Sequence, residues 1–198
     1  MKACIVFAHE GTSSFNHEIL NRVTTACEQA GIEYKVRDLY KMNFKAVFDA
    51  EEMRNVEQKN VSADIAEEQE LLTEADLLVM IYPVWWWAPP AILKGYIDRV
   101  FTNNFAFRYE ANGPIGLLSG KQAVVFTTTR ESDAKMREKG LDQVIQKQIA
   151  DGTLSFIGYD VTYKNYAGVP YVSEAERDSM LLDVETTMAA LLRQPVGV

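Results

Sequence analysis

Short apolar runs typical of strands alternate with segments of helical periodicity along this chain, and this alternation restricts the possible folds most. Strands are predicted at residues 2–8, 33–39, 76–82, 121–128 and 158–166, and helices at 15–30, 62–75, 90–101, 134–150 and 173–192. This order favours an α/β fold with a five-stranded parallel sheet and helices on both faces. Residues 40–60 have no clear period, and we interpret them as an excursion within one domain of residues 1–198.

Charge and cysteine use exclude several classes of function. The chain has 28 acidic and 20 basic residues, a formal net charge of −8, which argues against binding of nucleic acid or of an anionic lipid surface. No apolar run reaches the roughly 18 residues of a membrane span, and the first run is too short for a signal peptide. Cys4 and Cys27 are expected to be buried free thiols, so we predict a cytoplasmic protein. No metal site is predicted.

Ligands of open parallel sheets bind beyond the carboxyl ends of the strands, which directs attention to the loops there. The first loop, "AHEGTSSFN" (8–16), offers hydroxyls and an amide and leads into a helix. Free N–H groups at a helix start, with such side chains, can hold a phosphate, and Gly11 allows a tight backbone. The loop is neither a Walker A loop nor GxGxxG. A capped helix with a polar loop explains the same residues equally well.

The second loop, "PVWWWAPP" (83–90), contains all three tryptophans of the chain. Adjacent side chains of an extended segment point in different directions, so the three rings cannot all enter one core. The prolines stiffen the loop. A rigid aromatic wall beside a phosphate loop suits a flat, phosphorylated ring ligand, and flavin mononucleotide (FMN) fits both halves.

The third loop, "TTTRES" (127–132), places hydroxyls and a cation at the end of another buried strand. A reduced flavin carries negative charge near N1 and O2, which hydrogen-bond donors or a cation would stabilise. Thr128, Thr129 and Arg130 are the candidates. A polar strand-to-helix turn accounts for these residues equally well.

The stretch "YPVWWWAPPAILKGYIDRVFTNNFAFRY" (82–109) resembles the flavodoxin-like NAD(P)H:quinone oxidoreductases, a family that includes ancillary subunits of a bacterial potassium efflux system. "AHEGTSSFN" and "DIAEEQELLTEADLLV" (64–79) match the family as well. The resemblance implies a flavodoxin-like sheet that binds FMN or, alternatively, FAD. It also implies a homodimer whose sites form at the subunit interface.

The resemblance assigns roles to particular residues. Five positions would hold the ribityl and phosphate parts of the flavin: His9, Ser14, Phe15, Asn16 and Gln69. The loop that borders the isoalloxazine ring would consist of Pro83, Val84, Trp85, Trp86 and Trp87. Tyr109 is a candidate for contact with the electron acceptor. We take Tyr109 and Arg130 as the candidate catalytic residues.

The third loop departs from the family pattern, which has Thr-Thr-Gly-Gly followed by a tyrosine and a histidine. This chain has Arg130 and Glu131 in place of the glycines, and Met136 and Asp142 stand where the tyrosine and histidine would be. The departure predicts modest activity.

The residues and the resemblance together favour hydride transfer from NADH or NADPH to a flavin, followed by reduction of a quinone. Nitroaromatic and azo compounds are further candidate acceptors. The alternative is a flavin- or nicotinamide-binding regulatory subunit of a membrane transport system. A one-electron flavodoxin carrier is less favoured, because carriers expose a flavin edge and the tryptophan wall suggests a substrate pocket.

Overall fold

The computed structural model describes residues 1–193 and has a five-stranded parallel sheet at its centre. The strands, numbered along the chain, are β1 (Lys2–Phe7), β2 (Glu33–Asp38), β3 (Leu77–Pro83), β4 (Phe107–Glu110), β5 (Gly113–Gly116), β6 (Gln122–Thr128) and β7 (Asp160–Tyr166). The central sheet has the order β2-β1-β3-β6-β7, and β4 and β5 form a separate antiparallel hairpin. The strand order reverses at β1 and β3, so this is the edge where a ligand site is expected.

The helices are α1 (Phe15–Gln29), α2 (Ala50–Glu57), α3 (Ala63–Glu74), α4 (Ala91–Val100), α5 (Asp133–Glu138), α6 (Leu141–Gln146) and α7 (Glu174–Leu192), with a π-helical segment at Lys147–Ser155. Helices α1 and α7 cover one face of the sheet, while α3, α4 and the π-helical segment cover the other. Strand β1 supplies both cores by alternation: Cys4 and Val6 face one, and Ile5 and Phe7 the other. The predicted parallel sheet with helices on both faces is confirmed.

Three elements differ from the sequence-based expectation. Residues 50–57, within the segment that has no clear period, form α2, whose first turn is capped by the Asp49 carboxylate accepting from Glu51 N and Glu52 N. The helix predicted at 134–150 is interrupted at Gly140, which has φ +66° and separates α5 from α6, and α6 continues directly into the π-helical segment. The β4–β5 hairpin was not predicted, since its strands are four residues each and mostly exposed.

Specific residues mark the ends of several helices. Ser173 and Glu176 form the capping box that begins α7, and Gly31 follows α1 with φ +66°. Ser62 precedes α3, but its side chain makes no capping hydrogen bond to the helix.

Both cysteines are free and buried. Burial raises the pKa of the Cys4 thiol to about 12 and that of Cys27 to about 11. Across residues 1–193, none of the helices combines the length and the apolar character needed to cross a membrane.

Candidate active site

Two adjoining cavities open beyond the carboxyl ends of β1, β3 and β6. The α1 cavity, of about 550 Å³, is lined by His9, Ser14, Phe15, Asn16, Pro83, Val84, Trp85, Trp86, Thr128, Thr129, Arg130, Val169 and Pro170. The Tyr171 cavity, of about 530 Å³, is lined by Val84, Trp86, Trp87, Thr129, Arg130, Glu131, Lys135 and Tyr171. Four residues line both, so the two cavities form one continuous cleft. The three loops singled out in the sequence therefore meet at one place.

The loop after β1 is held by contacts within itself. Gly11 N donates to His9 Nδ1 at 3.0 Å, so in the neutral imidazole Nε2 carries the proton and can donate to a ligand. Ser14 caps α1: its Oγ accepts from His17 N at 3.3 Å and lies 3.0 Å from His17 Nδ1. The capped-helix interpretation is thus correct for Ser14. Helix α1 begins at the cavity that Ser14, Phe15 and Asn16 line, and the start of a helix is a general anion-binding position.

Asn16 is the most informative polar group of the α1 cavity. Its side chain is 4% exposed, and Nδ2 donates to Thr128 Oγ1 at 2.9 Å. Its Oδ1 is buried and has no hydrogen-bond partner within the described residues. A buried carbonyl oxygen without a donor is costly, which makes Asn16 a candidate for contact with a ligand.

The tryptophans form a tight turn with an unusual backbone. Trp85 N donates to Ala88 O at 2.9 Å and Ala88 N donates to Trp85 O at 3.0 Å. The two residues between them, Trp86 and Trp87, have φ +52° and +61°. Positive φ at two consecutive bulky residues is strained, and such strain concentrates at functional sites. The Trp86 side chain is 94% exposed in this position, which suits a wall for a flat ligand.

The loop after β6 is fixed by the end of β7. Thr129 N donates to Tyr166 O at 2.9 Å, and Thr129 Oγ1 donates to Glu131 O at 3.2 Å. Arg130 Nε donates to the Tyr171 hydroxyl at 2.8 Å, and its guanidinium carbon lies 5.3 Å from the centroid of the Tyr171 ring. The Arg130 side chain is therefore positioned by a residue from another loop.

Two of the predicted site residues lie outside the cleft. Gln69, on α3, is not among the residues that line the two cavities, and its Nε2 donates to Val100 O at 2.9 Å and Thr102 Oγ1 at 3.0 Å. It ties α3 to the end of α4 instead of facing the loop after β1. Tyr109 lies on the β4–β5 hairpin, is 72% exposed and packs edge-on against Phe107. Within a single chain, Tyr109 and Arg130 therefore do not meet in the cleft.

The residues at the positions of the family's tyrosine and histidine do not line the cleft either. The Met136 side chain is fully buried, so it is not exposed to the cleft. Asp142 Oδ1 is buried without a hydrogen-bond partner among the described residues. Nearby, burial raises the pKa of Tyr163 to about 12, and its hydroxyl lies 3.0 Å from Thr127 Oγ1.

The sequence interpretation missed one loop of the cleft. Val169, Pro170 and Tyr171 follow β7 and line the cavities. The rule that ligand-binding loops follow the carboxyl ends of parallel strands, applied to the fifth strand as well, would have found them.

The strand order and the cleft beyond the carboxyl ends define the class of flavodoxin-like α/β proteins. A family model described as "Flavodoxin-like fold" matches residues 1–186, and the chain belongs to this family.

Similar proteins are known in several organisms. The chain is 33% identical over 194 residues to an uncharacterized NAD(P)H oxidoreductase of Haemophilus influenzae, covering 96% of each protein. It is 32% identical over 201 residues to ribosyldihydronicotinamide dehydrogenase (quinone) of Homo sapiens, covering 91% of this chain and 87% of the human protein. The solved structure of NAD(P)H:quinone oxidoreductase from Methanothermobacter marburgensis has a TM-score of 0.87 and 30% identity, with 98% of both chains covered.

Proposed function

We propose that this protein is a flavin-dependent NAD(P)H oxidoreductase that reduces quinones or related acceptors by two-electron hydride transfer. The observation that carries the proposal is the cleft itself, in which a helix N-terminus and an aromatic turn meet at the switch in strand order. Relatives at 30–33% identity, named as NAD(P)H or quinone oxidoreductases, support the same activity. The regulatory-subunit alternative is not favoured by these relatives.

The residues present fit a flavin. A cavity of about 550 Å³ is within the usual range for a cofactor of this size. The loop after β1 and the α1 N-terminus suit a phosphate, and the unpaired Asn16 Oδ1 suits a hydroxyl of the ribityl chain, because it is an acceptor that lacks a donor. We propose FMN as the cofactor, with FAD as the alternative.

The chain's own residues bind and orient the cofactor. His9, Ser14, Phe15 and Asn16 form the phosphate and ribityl end, whereas Gln69 does not line this cavity in its own chain. Pro83, Val84 and the tryptophan turn border the ring, and Thr128 and Thr129 close the cavity from the loop after β6. A bound flavin supplies the hydride chemistry between a reduced nicotinamide, NADH or NADPH, and the acceptor.

We place Arg130 and Tyr109 as the catalytic groups. Arg130 lines both cavities, so its cation can stabilise negative charge that develops on the ring system. Tyr109 is exposed on a hairpin outside its own cleft, and we propose that it enters the cleft of a second copy in a homodimer. We also propose that residues 1–198 form a single flavin-binding domain, and that it works in the reducing cytoplasm, which its free buried thiols Cys4 and Cys27 support.

The proposal is tested by flavin titration of stripped protein. We expect about one flavin per chain and quenching of tryptophan emission, because all three tryptophans lie in one turn of the cleft. Asn16→Leu should weaken flavin binding about tenfold or more, from the loss of a buried polar contact of ~1–3 kcal/mol. Gln69→Leu is the matched control and should bind flavin like the parent. Failure of the parent to bind flavin would contradict the proposal.

A further inference from the structure

The Tyr171 cavity combines aromatic walls with charged side chains of net positive sign. Trp86, Trp87 and Tyr171 supply aromatic lining, while Arg130 and Lys135 supply two cations against the single anion of Glu131. The formal charge of these three side chains is +1, in a chain whose net charge is −8. The cavity is therefore of opposite sign to the rest of the molecule.

Arg130 is held in place but is not neutralised. Its Nε donates to the Tyr171 hydroxyl at 2.8 Å, and its guanidinium carbon lies 5.3 Å from that ring's centroid. Within residues 1–193, the Arg130 guanidinium forms a hydrogen bond or ion pair with no side chain other than Tyr171. The two terminal Nη groups of Arg130 are therefore available. A guanidinium with both Nη groups free is suited to a bidentate carboxylate or sulfonate.

The neighbouring carboxylate of Glu131 does not fill this role. Glu131 Oε1 accepts from Ser132 N at 2.9 Å and lies 3.7 Å from Lys135 Nζ. These contacts draw the carboxylate toward α5 and leave Arg130 without a carboxylate partner among the described residues.

We propose that the Tyr171 cavity selects planar aromatic acceptors that carry a carboxylate or sulfonate, with Arg130 as the anchor for the anionic group. This inference rests on the proposed function, because the cavity adjoins the α1 cavity, where the flavin is proposed to bind. The two cavities share Val84, Trp86, Thr129 and Arg130. A volume of about 530 Å³ suits a compact aromatic acid. In a nicotinamide donor, several bonds separate the phosphates from the nicotinamide ring. In this cavity the aromatic lining and the cation lie together, which suits a ring that carries its anionic group directly.

The inference is tested first by equilibrium binding, without turnover. Calorimetry of the flavin-loaded protein compares 2-naphthoate with 2-naphthamide, which share a ring system and differ in charge. We expect the parent to bind the acid about fivefold or more tighter, because hydrogen bonds between charged groups contribute more than neutral ones. Arg130→Gln should remove the preference, and Arg130→Lys should restore part of it. Tyr171→Phe should reduce it, since Arg130 loses the acceptor that positions Nε.

Arg137→Gln is the control for a general effect of charge. Arg137 is on α5, two residues from Lys135, and pairs with Asp133 at 2.7 Å on the surface. This variant loses one positive charge near the cleft and should keep the parent's preference. A parent without preference for the acid, an unchanged preference in Arg130→Gln, or an equal loss in Arg137→Gln would each overturn the inference.

Steady-state kinetics separates this inference from the proposed function and from the donor. The KM of a naphthoquinone carboxylate relative to that of its carboxamide should rise about fivefold or more in Arg130→Gln. If Arg130→Gln instead changes only the discrimination between NADPH and NADH, the anchored group is the donor's phosphate and the inference is overturned. If the protein fails to take up flavin, the proposed function fails. Naphthoate and naphthamide binding to the flavin-free protein then still decides the inference.

Discussion

At the scale of single residues, the tryptophan turn has an energetically unfavourable backbone conformation. Trp86 and Trp87 both have positive φ, which costs an L-residue other than glycine roughly 1–2 kcal/mol. Reciprocal hydrogen bonds between Trp85 and Ala88 hold the turn closed. This strained turn presents an exposed ring to the cleft. A substitution that relieves the strain should therefore stabilise the protein but weaken ligand binding.

We expect Trp86→Gly to give a more stable flavin-free protein than Trp86→Ala, by about 1 kcal/mol. Both variants lack the ring, but only glycine adopts positive φ without steric cost. Urea denaturation of the two stripped variants measures the difference. Both should bind flavin more weakly than the parent. Equal stability of the two variants would show that the turn is not strained.

His17 should make the stability of the flavin-free protein depend on pH. Burial lowers the pKa of the His17 imidazole, nearby His9 lowers it further, and Lys41 adds to this while Asp38 opposes it. The unfolded chain therefore takes up a proton at higher pH than the native protein does. The native state should lose stability as the pH falls below the ordinary histidine value of about 6.5.

The measurement for His17 is the unfolding free energy of stripped protein between about pH 8 and pH 5, in the range where histidine titrates. His17→Gln should flatten the decline toward low pH. A parent and variant with parallel curves would contradict the assignment, because the decline would then come from other groups.

Among the elements, the packing of α4 depends on a close backbone approach. A Cβ on Gly95 would lie 2.1 Å from Ala46 O and 2.5 Å from Ala46 Cα, both backbone atoms. Arg99, one turn further along α4, donates to Lys45 O at 2.8 Å and pairs with Glu52 on α2. The excursion between β2 and α3 is thus attached to α4 at two places.

We expect Gly95→Ala to destabilise the protein by about 1–3 kcal/mol, the usual cost of overpacking a site that cannot relax freely. Gly152→Ala is the milder comparison, because a Cβ there would lie 3.1 Å from Lys147 O, a tight contact but much longer than the one at Gly95, and the residue is exposed. This variant should lose less stability than Gly95→Ala. Thermal unfolding of both variants measures the contrast, and equal melting temperatures would argue against close packing at Gly95.

Periodicity in the sequence was sufficient to predict the sheet but not the elements that depend on distant contacts. Strands β1, β3 and β6 are nearly continuous apolar runs, and they were found within a residue or two. Helix α2 has no buried residue, and its Glu52 pairs with Arg99 from α4, so it contacts the rest of the protein through charged side chains and not through an apolar core face. Such a contact leaves no signal within the segment.

The candidate site was likewise predictable in part from the sequence. The loops after β1, β3 and β6 were found because chemistry and strand order coincide there. Positive φ at Trp86 was not predictable, since tryptophan rarely adopts it. The Arg130–Tyr171 contact joins loops after different strands, so the sequence identified Arg130 but not the residue that positions it.

For the whole molecule, the position of Tyr109 bears on assembly. Its hairpin lies outside the cleft of its own chain, and the side chain is largely exposed. If two copies share their sites, a chain with Tyr109→Ala and a chain with Asn16→Leu should complement each other when mixed. The mixed dimer would contain one site with both a flavin-competent cleft and a tyrosine.

We expect the mixture to exceed the summed quinone reductase activity of the two variants measured separately. Sedimentation should give about twice the 22.4 kDa mass of one chain. Two monomeric variants, or a mixture with no gain over the sum, would contradict a shared site and leave Tyr109 without a role in acceptor contact.

The most direct test of the central claim is an anaerobic titration of flavin-loaded protein, followed by its visible absorbance. We expect about one equivalent of NADH or NADPH to bleach the one flavin per chain, since the cleft is proposed to support two-electron hydride transfer. Addition of an equivalent of quinone should then restore the oxidised spectrum. Flavin that stays oxidised under excess NADH and NADPH, or that is reduced but not reoxidised by quinone, would contradict the proposed activity.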